Sequence, residues 1–356
     1  MREFTFVFVC GLLAVTLAAP PAAKKEEPAA KKSTAPVAAP AKTVKAPVKP
    51  ATKVQELKQE KFEPVKSSGP TKEEEYRKFL EETEHKLPFK TNLKKGVQEG
   101  QTVFIIGKLC NDTKRVDVNF RKGKEILMHL SLRFDEGIFS GKLVYNTFEN
   151  GNWSEDEQRG KHPFKSNGTL DLRIRVLNGR VQVFGDKSAA ANFELKKPLD
   201  AADSVEIDGD IESLRVFRVG GKIYEIPYSE SLKFGPGKRI DITALPTGNR
   251  VDVNLHKKNK DFAFQLSMRL GEGVIVRNAM ENGQWGKEER EGGIPVRKGK
   301  IFDLMIANEK FGYQVFIDGK RFAAFSHRGD PSDIESVDVE GDAELYGLEI
   351  SDSKGV

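Results

Sequence analysis

The chain has 356 residues, of which 31% are charged and 38% are hydrophobic, and its net charge at pH 7 is +5. It has two cysteines, Cys10 and Cys110, and Cys10 lies in an N-terminal segment with the pattern of a cleaved signal. An intrachain disulfide framework is therefore excluded from the mature chain, and stability must come from buried apolar surface. Cys110 ends the strand-like run VFIIGKLC, which favours a small core or edge residue and leaves an intermolecular disulfide open.

Residues 1–19, MREFTFVFVCGLLAVTLAA, begin with a positive charge, continue as an apolar stretch and end in small residues. This is the layout of a secretory signal peptide, and the apolar stretch is short for a membrane span. No second apolar run of spanning length follows. We therefore predict a signal peptide at 1–19 and a secreted, extracellular protein. A signal anchor, or a cytoplasmic protein in which the signal is not used, is the alternative.

Residues 20–86 have a different composition, with much Ala, Pro and Lys and few large apolar side chains to bury. We expect a disordered, semi-stiff linker here, with a short helix at 71–84 that begins after Thr71 as N-cap. Residues 20–70 hold 11 Lys against 5 Glu, so this stretch carries +6 and the chain beyond it carries −1. Because the basic charge belongs to the linker, a nucleic-acid partner is not expected for the folded part.

From residue 87 onward the sequence consists of short runs in which polar and apolar residues alternate, separated by Gly, Asn, Asp and Lys turns. Examples of the runs are TVFIIGKL, RVDVNFR, LMHLSLRF, LDLRIRVL and RVQVFG. Period-two alternation over such lengths is typical of antiparallel strands with one buried face. The sequence therefore predicts an all-β protein.

The pattern of runs occurs twice. RVDVNF at 115 returns as RVDVNL at 250, Trp153 returns as Trp285, and IDGD at 207 returns as VEGD at 339. The offset falls from 135 to 132 residues, as a shorter loop would cause. We predict two homologous domains, at 87–220 and 221–352, each of ordinary single-domain size.

Alternation assigns faces to the strands. In the first repeat it places His129, Ser131 and Arg133 on one face and Leu130, Leu132 and Phe134 on the other. The second repeat has the same division, with Gln265, Ser267 and Arg269 against Leu266, Met268 and Leu270. The apolar faces must be covered by a second sheet, which predicts a β-sandwich. A polar outer row alone is what most sandwich strands carry, so function needs a further signal.

That signal comes from the two tryptophans. Asn146 precedes Trp153 by seven residues and Asn278 precedes Trp285 by the same gap, so the polar row, an amide and an indole can meet on one outer face. A flat ring offers a platform for the C–H face of a pyranose, and Asn, His, Gln and Arg offer partners for hydroxyls. Glu288 lies two residues from Arg290, where the carboxylate can hold the guanidinium in place.

These motifs resemble those of a tandem-repeat galectin, over essentially all of residues 87–352. The family pattern is H-x-N-x-R, then V-x-N, then W-G-x-E-x-R, with a later G-D strand. The resemblance implies two galectin-type antiparallel β-sandwich domains of the jelly-roll or concanavalin-like kind in tandem, behind the disordered tail. It also implies non-enzymatic binding of β-galactoside glycans on glycoproteins or glycolipids, and crosslinking of them through two sites.

In the second domain it implies a site formed by Gln265, Ser267, Arg269, Asn278, Trp285, Glu288 and Arg290. In the first domain it implies a site formed by His129, Ser131, Arg133, Asn146, Trp153, Asp156 and Gln158.

Both repeats depart from the family pattern. Ser131 and Ser267 stand where the family has Asn, and Gln265 stands where it has His. When the repeats are aligned on Pro163 and Pro295, each ten residues after its Trp, Asp156 and Gln158 replace the Glu and Arg of the first repeat. A lost hydrogen bond to a buried hydroxyl costs about 0.5–1.5 kcal/mol, so each change should weaken binding several-fold. We therefore predict that the second domain is the more complete site.

Two other functions fit parts of the sequence. A scaffold protein with this fold and weakened or lost sugar binding is consistent with the substitutions. A β-sandwich glycoside hydrolase is the less favoured alternative, and its candidate acids lie on the run VEIDGDIE. They are Glu206, Asp208, Asp210 and Glu212. The second repeat reads VDVEGDAE, which favours a solvated face and a G-D turn over catalytic acids.

The five histidines are scattered, so no metal and no cofactor is predicted. The oligomeric state is left open.

Three glycosylation sequons begin at Asn111, Asn152 and Asn167. A glycan on Asn152 would stand beside Trp153 and obstruct the first site. Galectins as a family usually lack a cleaved signal, so either Asn152 is unmodified, or the first repeat is not a working site, or the signal is not used.

Overall fold

A computed structural model describes residues 82–134 and 141–353 of the chain. The signal peptide predicted at 1–19, the linker up to residue 81 and most of the predicted helix at 71–84 lie outside the described residues. Residues 82–84, which would end that helix, are not helical. The part of the chain that the structure describes is nearly all β, as the alternating sequence predicts.

The first repeat is a sandwich of two antiparallel sheets. We call them the front sheet and the back sheet. The front sheet has the order β1-β11-β3-β4-β5-β6, with β7 also paired to β5. Its strands are β1 Phe89–Asn92, β3 Arg115–Lys122, β4 Glu125–Arg133, β5 Lys142–Glu149, β6 Asn152–Trp153, β7 Gln158–Lys161 and β11 Ser204–Gly209.

The back sheet has the order β10-β9-β8-β2-β12. Its strands are β2 Thr102–Leu109, β8 Thr169–Leu177, β9 Arg180–Gly185, β10 Ser188–Glu194 and β12 Ile211–Gly220. A short 3₁₀ helix, Leu199–Ala201, precedes β11.

The second repeat uses long strands that run through both layers. Residues 250–256 of β14 pair with β15 in the front layer, and residues 238–244 pair with β19 in the back layer. β22 follows β14 along its whole length, and β13, β16, β20 and β21 complete the layers. These strands are β13 Tyr228–Ser231, β14 Lys238–Lys257, β15 Phe262–Arg269, β16 Val274–Asn278, β19 Phe302–Asn308, β20 Gly312–Ile317, β21 Lys320–Ser326 and β22 Ile334–Asp352. Two short strands, β17 Met280–Glu281 and β18 Gln284–Trp285, form a hairpin.

Each repeat has its own core between its two layers. In the first, alternate residues such as Val116, Val118 and Leu130 are buried against Ile105 and Leu172 of the back sheet. In the second, residues such as Val253, Leu266, Ile242 and Leu304 form the equivalent cluster. These are the apolar positions of the period-two pattern, so the alternation in the sequence is what separates the core from the outer faces.

The strands change layer at a glycine in both repeats. Gly209, with φ 113°, ends β11, and Gly341, with φ 93°, lies inside β22. A Cβ added at Gly209 would lie 2.3 Å from the carbonyl oxygen of Arg115, and one at Gly341 would lie 2.4 Å from that of Arg250. Only glycine fits this backbone and this close approach, which explains the G-D pair at 209 and 341.

Candidate functional site

Three adjacent strands of the second front sheet place the predicted polar row. Gln265 on β15 lies between Asn254 on β14 and Asn278 on β16 in the strand register. Side chains directly opposite each other in an antiparallel sheet share a face, so three amides stand side by side. Ser267 and Arg269 follow Gln265 on the same face, as the alternation predicts.

The charged residues of the run WGKEER at 285–290 gather around Arg269. The Arg269 guanidinium donates to Glu288 Oε1 at 3.1 Å, and Arg290 Nε donates to Glu288 Oε2 at 2.7 Å. Glu272 lies 3.7 Å from Arg269 and 3.5 Å from Arg290. The hydrogen bond from Arg290, followed by that from Arg269, lowers the pKa of Glu288. Glu288 is therefore an ionised acceptor that orients two guanidinium groups and has lone pairs left for a ligand.

Trp285 forms the exposed side of the second site. It lies on the β17–β18 hairpin with 46% of its surface exposed, and its ring is 4.8 Å from that of Phe262. Asn278 holds the hairpin, because its Nδ2 donates to the Gly286 carbonyl at 3.0 Å. Arg328 donates to Asn278 Oδ1 at 2.9 Å. A Cβ at Gly286 would lie 2.5 Å from the Arg328 guanidinium, so a larger residue here would require Arg328 to shift.

A chain of hydrogen bonds lies behind Gln265. Gln265 Nε2 donates to Asn254 Oδ1 at 3.2 Å, and Asn254 Nδ2 donates to Asp338 at 2.8 Å. Asp338 also forms a short ion pair with His256. The hydrogen bond to Asp338 raises the pKa of His256. Gln265 is thus oriented by a neighbour that is itself fixed by a charged pair.

The first repeat builds the same face with a histidine. His129 on β4 lies between Asn119 on β3 and Asn146 on β5 in the register. The separation of His129 Nδ1 from Asn119 Oδ1 is 2.6 Å, so Nδ1 carries the proton and donates. Burial is the main reason that the pKa of His129 is lowered. The ring is therefore neutral near pH 7, with Nε2 left as an acceptor.

Trp153 takes the place of Trp285. Its surface is 47% exposed, and its ring centroid is 4.9 Å from that of His129 and 5.3 Å from that of Phe148. Asn146 Nδ2 donates to the Ser154 carbonyl at 3.1 Å, as Asn278 does to Gly286. Both indoles thus lie outside the cores, beside an Asn that fixes the following turn.

The strand register changes the assignment of the acidic and basic pair in the first repeat. Tyr145, just before Asn146, pairs with Gln158. Arg277, just before Asn278, forms a bridge with Glu289. Gln158 therefore corresponds to Glu289. Its neighbours Glu157 and Arg159 then correspond to Glu288 and Arg290.

The register places Glu157 and Arg159, rather than the predicted Asp156 and Gln158, at these positions. Arg159 Nε donates to Glu157 Oε1 at 2.6 Å, which repeats the Arg290–Glu288 contact. Asp156 has 88% of its side chain exposed and lies 3.3 Å from Lys196. Gln158 exchanges hydrogen bonds of 3.1 and 3.0 Å with the backbone of Glu194 on β10. One residue is inserted after Trp153 and one is missing before Pro163, so alignment on the prolines hides the shift.

The serines of the polar row lie deeper than the alternation suggests. Ser131 and Ser267 are fully buried. Arg269 Nε reaches the Ser267 hydroxyl at 3.4 Å, whereas the Ser131 hydroxyl has no hydrogen-bond partner. Arg133, half-buried at the end of the row, lies between Arg115 and Lys142 in the register. The serines therefore form the floor of each site beneath the arginines.

The acidic run considered for a hydrolase does not form a pair of free carboxylates. Glu206 lies 2.7 Å from Lys90 and forms a short pair with Arg121. Burial raises the pKa of Glu206, but the hydrogen bonds that it accepts from Lys90 and Arg121 have a larger combined effect. The pKa of Glu206 is therefore lowered overall. Asp210 accepts from the backbone N–H groups of Lys114 and Arg115, and Glu212 pairs with Lys108. Asp208 accepts from the N–H of Gly209. These acids stabilise strands and a turn.

All three sequon asparagines, Asn111, Asn152 and Asn167, are exposed. Asn152 pairs with Glu149 across a tight turn and directly precedes Trp153 on β6. Within the described ranges, 82–134 and 141–353, no three His, Cys, Asp or Glu side chains are grouped as metal ligands. In the same part of the chain, no helix has the length and hydropathy to cross a membrane.

Comparisons with known proteins agree with this geometry. The model of the galactoside-binding lectin family matches the chain twice, at residues 88–217 and 225–350. A 32 kDa β-galactoside-binding lectin of Haemonchus contortus is 36% identical over 276 residues, which cover 74% of this chain and 95% of the relative. A protein of the same name from Caenorhabditis elegans is 36% identical over 274 residues, with 74% and 96% covered. Human Galectin-4 is 25% identical over 310 residues, with 74% and 95% covered.

The chain belongs to the galactoside-binding lectin family, the galectins, with two family repeats in tandem. The predicted all-β galectin fold is confirmed. Proteins of this family are carbohydrate-binding lectins, so the chain is not an enzyme, and the glycoside hydrolase alternative is set aside.

Proposed function

We propose that both repeats bind β-galactosides on glycan chains and that the full chain crosslinks them. The observation that carries this is the repeated arrangement of an exposed indole beside an amide row and a Glu–Arg pair. It is formed by Trp153 with Glu157 and Arg159, and by Trp285 with Glu288 and Arg290. The names of the β-galactoside-binding relatives support the choice of sugar.

Each part of this face suits a different part of a galactoside. The indole provides a flat apolar surface for the C–H face of the ring. His129 in the first repeat and Gln265 in the second provide polar contacts beside the ring, with Arg133 and Arg269 at the end of each row. The Glu–Arg pairs supply charge-assisted hydrogen bonds further along, where a second sugar of a disaccharide would lie.

The ranking of the two sites changes with the register. The prediction of a weaker first repeat rested on the loss of its Glu–Arg pair, and Glu157 with Arg159 restores that pair. The first repeat also keeps His129, where the second has Gln265. We therefore propose that both sites bind sugar, and that the affinity of the first repeat is not much lower than that of the second.

A secreted lectin is the location that the N-terminal sequence favours, and glycans outside the cell are then the partners. Asn152 is exposed, and a glycan on it would stand next to Trp153. Sugar binding by the first repeat therefore requires that Asn152 is not glycosylated. Mass spectrometry of the protein purified from its native source tests this, and an occupied Asn152 would remove the first site from the proposal.

Isothermal titration with lactose tests the function directly. The unaltered chain should bind two lactose molecules, Trp153→Ala and Trp285→Ala should each bind one, and the double variant should bind none. Phe311→Ala is the matched control, because Phe311 is an aromatic residue with 75% of its surface exposed on the turn between β19 and β20. Absence of lactose binding by the folded, unaltered chain would support the scaffold alternative.

A further inference from the structure

The outer face of the first back sheet is charged in sequence but buried in the structure. In the β8 run LDLRIRVL, Leu170, Leu172 and Ile174 face the core. Asp171, Arg173 and Arg175 face outward. All three outward side chains are nevertheless buried, and Arg173 is 0% exposed. An outward face can be buried only when something covers it, and the cover here is the back layer of the second repeat.

Arg173 is held from both repeats at once. It donates to the Asp171 carboxylate at 2.7 and 2.9 Å and to the Asp303 carboxylate of β19 at 2.8 and 2.7 Å. Two bidentate pairs use a planar guanidinium almost completely and fix its orientation. Asp303 therefore cannot shift relative to β8 without leaving a buried charge unpaired.

Other contacts spread the interface over the two back layers. Lys187, on the turn between β9 and β10, lies 2.7 Å from Asp303 and 2.6 Å from Asp318. The guanidinium of Arg175 lies 4.1 Å from the ring centroid of Tyr346 on β22. At the rim, Arg218 on β12 lies 2.9 Å from Glu349 on β22. Strands β8 and β12 and the β9–β10 turn of the first repeat thus contact β19, β22 and the β20–β21 turn of the second.

Apolar side chains fill the space between these charges. Phe104, Ile106 and Val216 form a buried cluster on the outer side of the first back sheet. Met305 and Phe316 form one on the outer side of the second back layer. Phe184, Ile301 and Tyr346 form a third that includes residues of both repeats. A backbone hydrogen bond of 2.8 Å from Ile301 N to the Lys187 carbonyl joins the repeats directly. Apolar packing combined with direct hydrogen bonds is typical of a protein interface.

We infer that the two repeats form one rigid body, joined back to back, with the two sugar-binding faces directed to opposite sides. The layers follow the order front, back, back, front. With packed sheets about 10 Å apart, the planes of the two front sheets are about 30 Å from each other. The indoles of Trp153 and Trp285 lie on the two outermost faces of this stack.

This geometry defines how the lectin crosslinks, and it depends on the proposed function. Two faces that point away from each other cannot both reach the same flat membrane. One chain therefore binds a glycan-bearing surface through a single repeat and presents its second repeat to another surface. The partner is a pair of separate glycan-coated surfaces, with no gain in avidity on one of them.

Dissociation from a planar bilayer tests this mode of crosslinking. The probe is a phosphatidylcholine bilayer that contains a lipid with a lactosyl headgroup, and the full chain is compared with Trp153→Ala and Trp285→Ala. The unaltered protein should dissociate at the rate of the slower single-site variant, within about twofold. Once bound, it should capture lactosyl vesicles from solution, and neither variant should do so. A gain in retention of about 10² to 10⁴-fold on the single bilayer is the avidity of two sites binding together and would overturn the inference.

A distance measurement that needs no sugar separates the geometry from the function. Spin labels at Lys124→Cys and Lys258→Cys, in a Cys10→Ser and Cys110→Ser chain, mark exposed turns of the two front sheets. One narrow distance distribution is expected, and a broad or multiple distribution would overturn the rigid arrangement. Failure to bind lactose in calorimetry, with a narrow distribution retained, would instead overturn the proposed function and leave the fixed arrangement supported.

Discussion

Arg159 and Gln158, adjacent residues of β7, should have opposite effects when each is changed to alanine. The Arg159 side chain is 57% exposed and makes a surface ion pair with Glu157, so its loss should cost about 0–1 kcal/mol of unfolding free energy. A hydrogen bond from a charged group to a bound sugar is worth about 1.5–3 kcal/mol. Arg159→Ala should therefore weaken lactose binding by the first repeat by about tenfold to 150-fold.

Gln158→Ala should leave lactose affinity unchanged and lower stability. Its amide makes two hydrogen bonds with the backbone of Glu194, each worth about 0.5–1.5 kcal/mol, so the loss is about 1–3 kcal/mol. The melting temperature should fall by several degrees.

Isothermal titration with lactose and a thermal melt, both in a Trp285→Ala chain that leaves only the first site, measure the two effects. Arg290→Ala in a Trp153→Ala chain is the matched variant in the second repeat and should lose affinity as Arg159→Ala does. If Gln158→Ala lost affinity and Arg159→Ala kept it, the register argument would be refuted.

Three further predictions concern stability and the floor of the sites. The hydrogen bond to Asp338 raises the pKa of His256, so this ion pair adds to the free energy of unfolding below the unfolded pKa of about 6.5. That contribution is lost as the pH rises through the folded pKa. Urea unfolding at a series of pH values should show this loss as the pH rises above about 6.5, and His256→Gln should remove the pH dependence. Asp303→Ala should lower the unfolding free energy by about 3–5 kcal/mol because it leaves Arg173 and Lys187 short of a buried partner. Glu349→Ala, at the exposed rim, should cost less than about 1 kcal/mol in the same denaturant titration. Ser131→Ala should change lactose affinity by less than about twofold in calorimetry, because its hydroxyl is buried without a partner, and a tenfold loss would contradict this.

The strands, their faces and the two repeats could be predicted because alternation is a local property. Val116, Val118 and Leu130 are core residues for the same reason that their neighbours are polar. The Trp and Asn positions could also be found, since the gap of seven residues recurs unchanged.

The pair at 157 and 159 could not be found by counting from the nearest prolines. An insertion and a deletion on the two sides of β7 cancel by Pro163, so the spacing is conserved while the register is not. The repeated E-x-R signature itself was the available signal, because E-D-E-Q-R contains Glu157-Gln158-Arg159 one place further on.

The burial of Arg173 could not be predicted from β8 alone. A strand with Asp171, Arg173 and Arg175 on one side has the pattern of a solvated face. Only the packing of a second sandwich makes that side an interior, and the partner charges, Asp303 and Asp318, come about 130 residues later.

In each repeat, the residue directly after the tryptophan lies against a basic side chain that is distant in sequence. Gly286 leaves room for the Arg328 guanidinium, whereas in the first repeat Lys196 Nζ donates to the Ser154 hydroxyl at 2.7 Å. A serine introduced at 286 alone would displace Arg328, and a glycine introduced at 154 alone would remove the hydroxyl acceptor of Lys196. Segments exchanged between the repeats to alter glycan preference must therefore carry both members of the couple, although they are separated by more than forty positions in the chain.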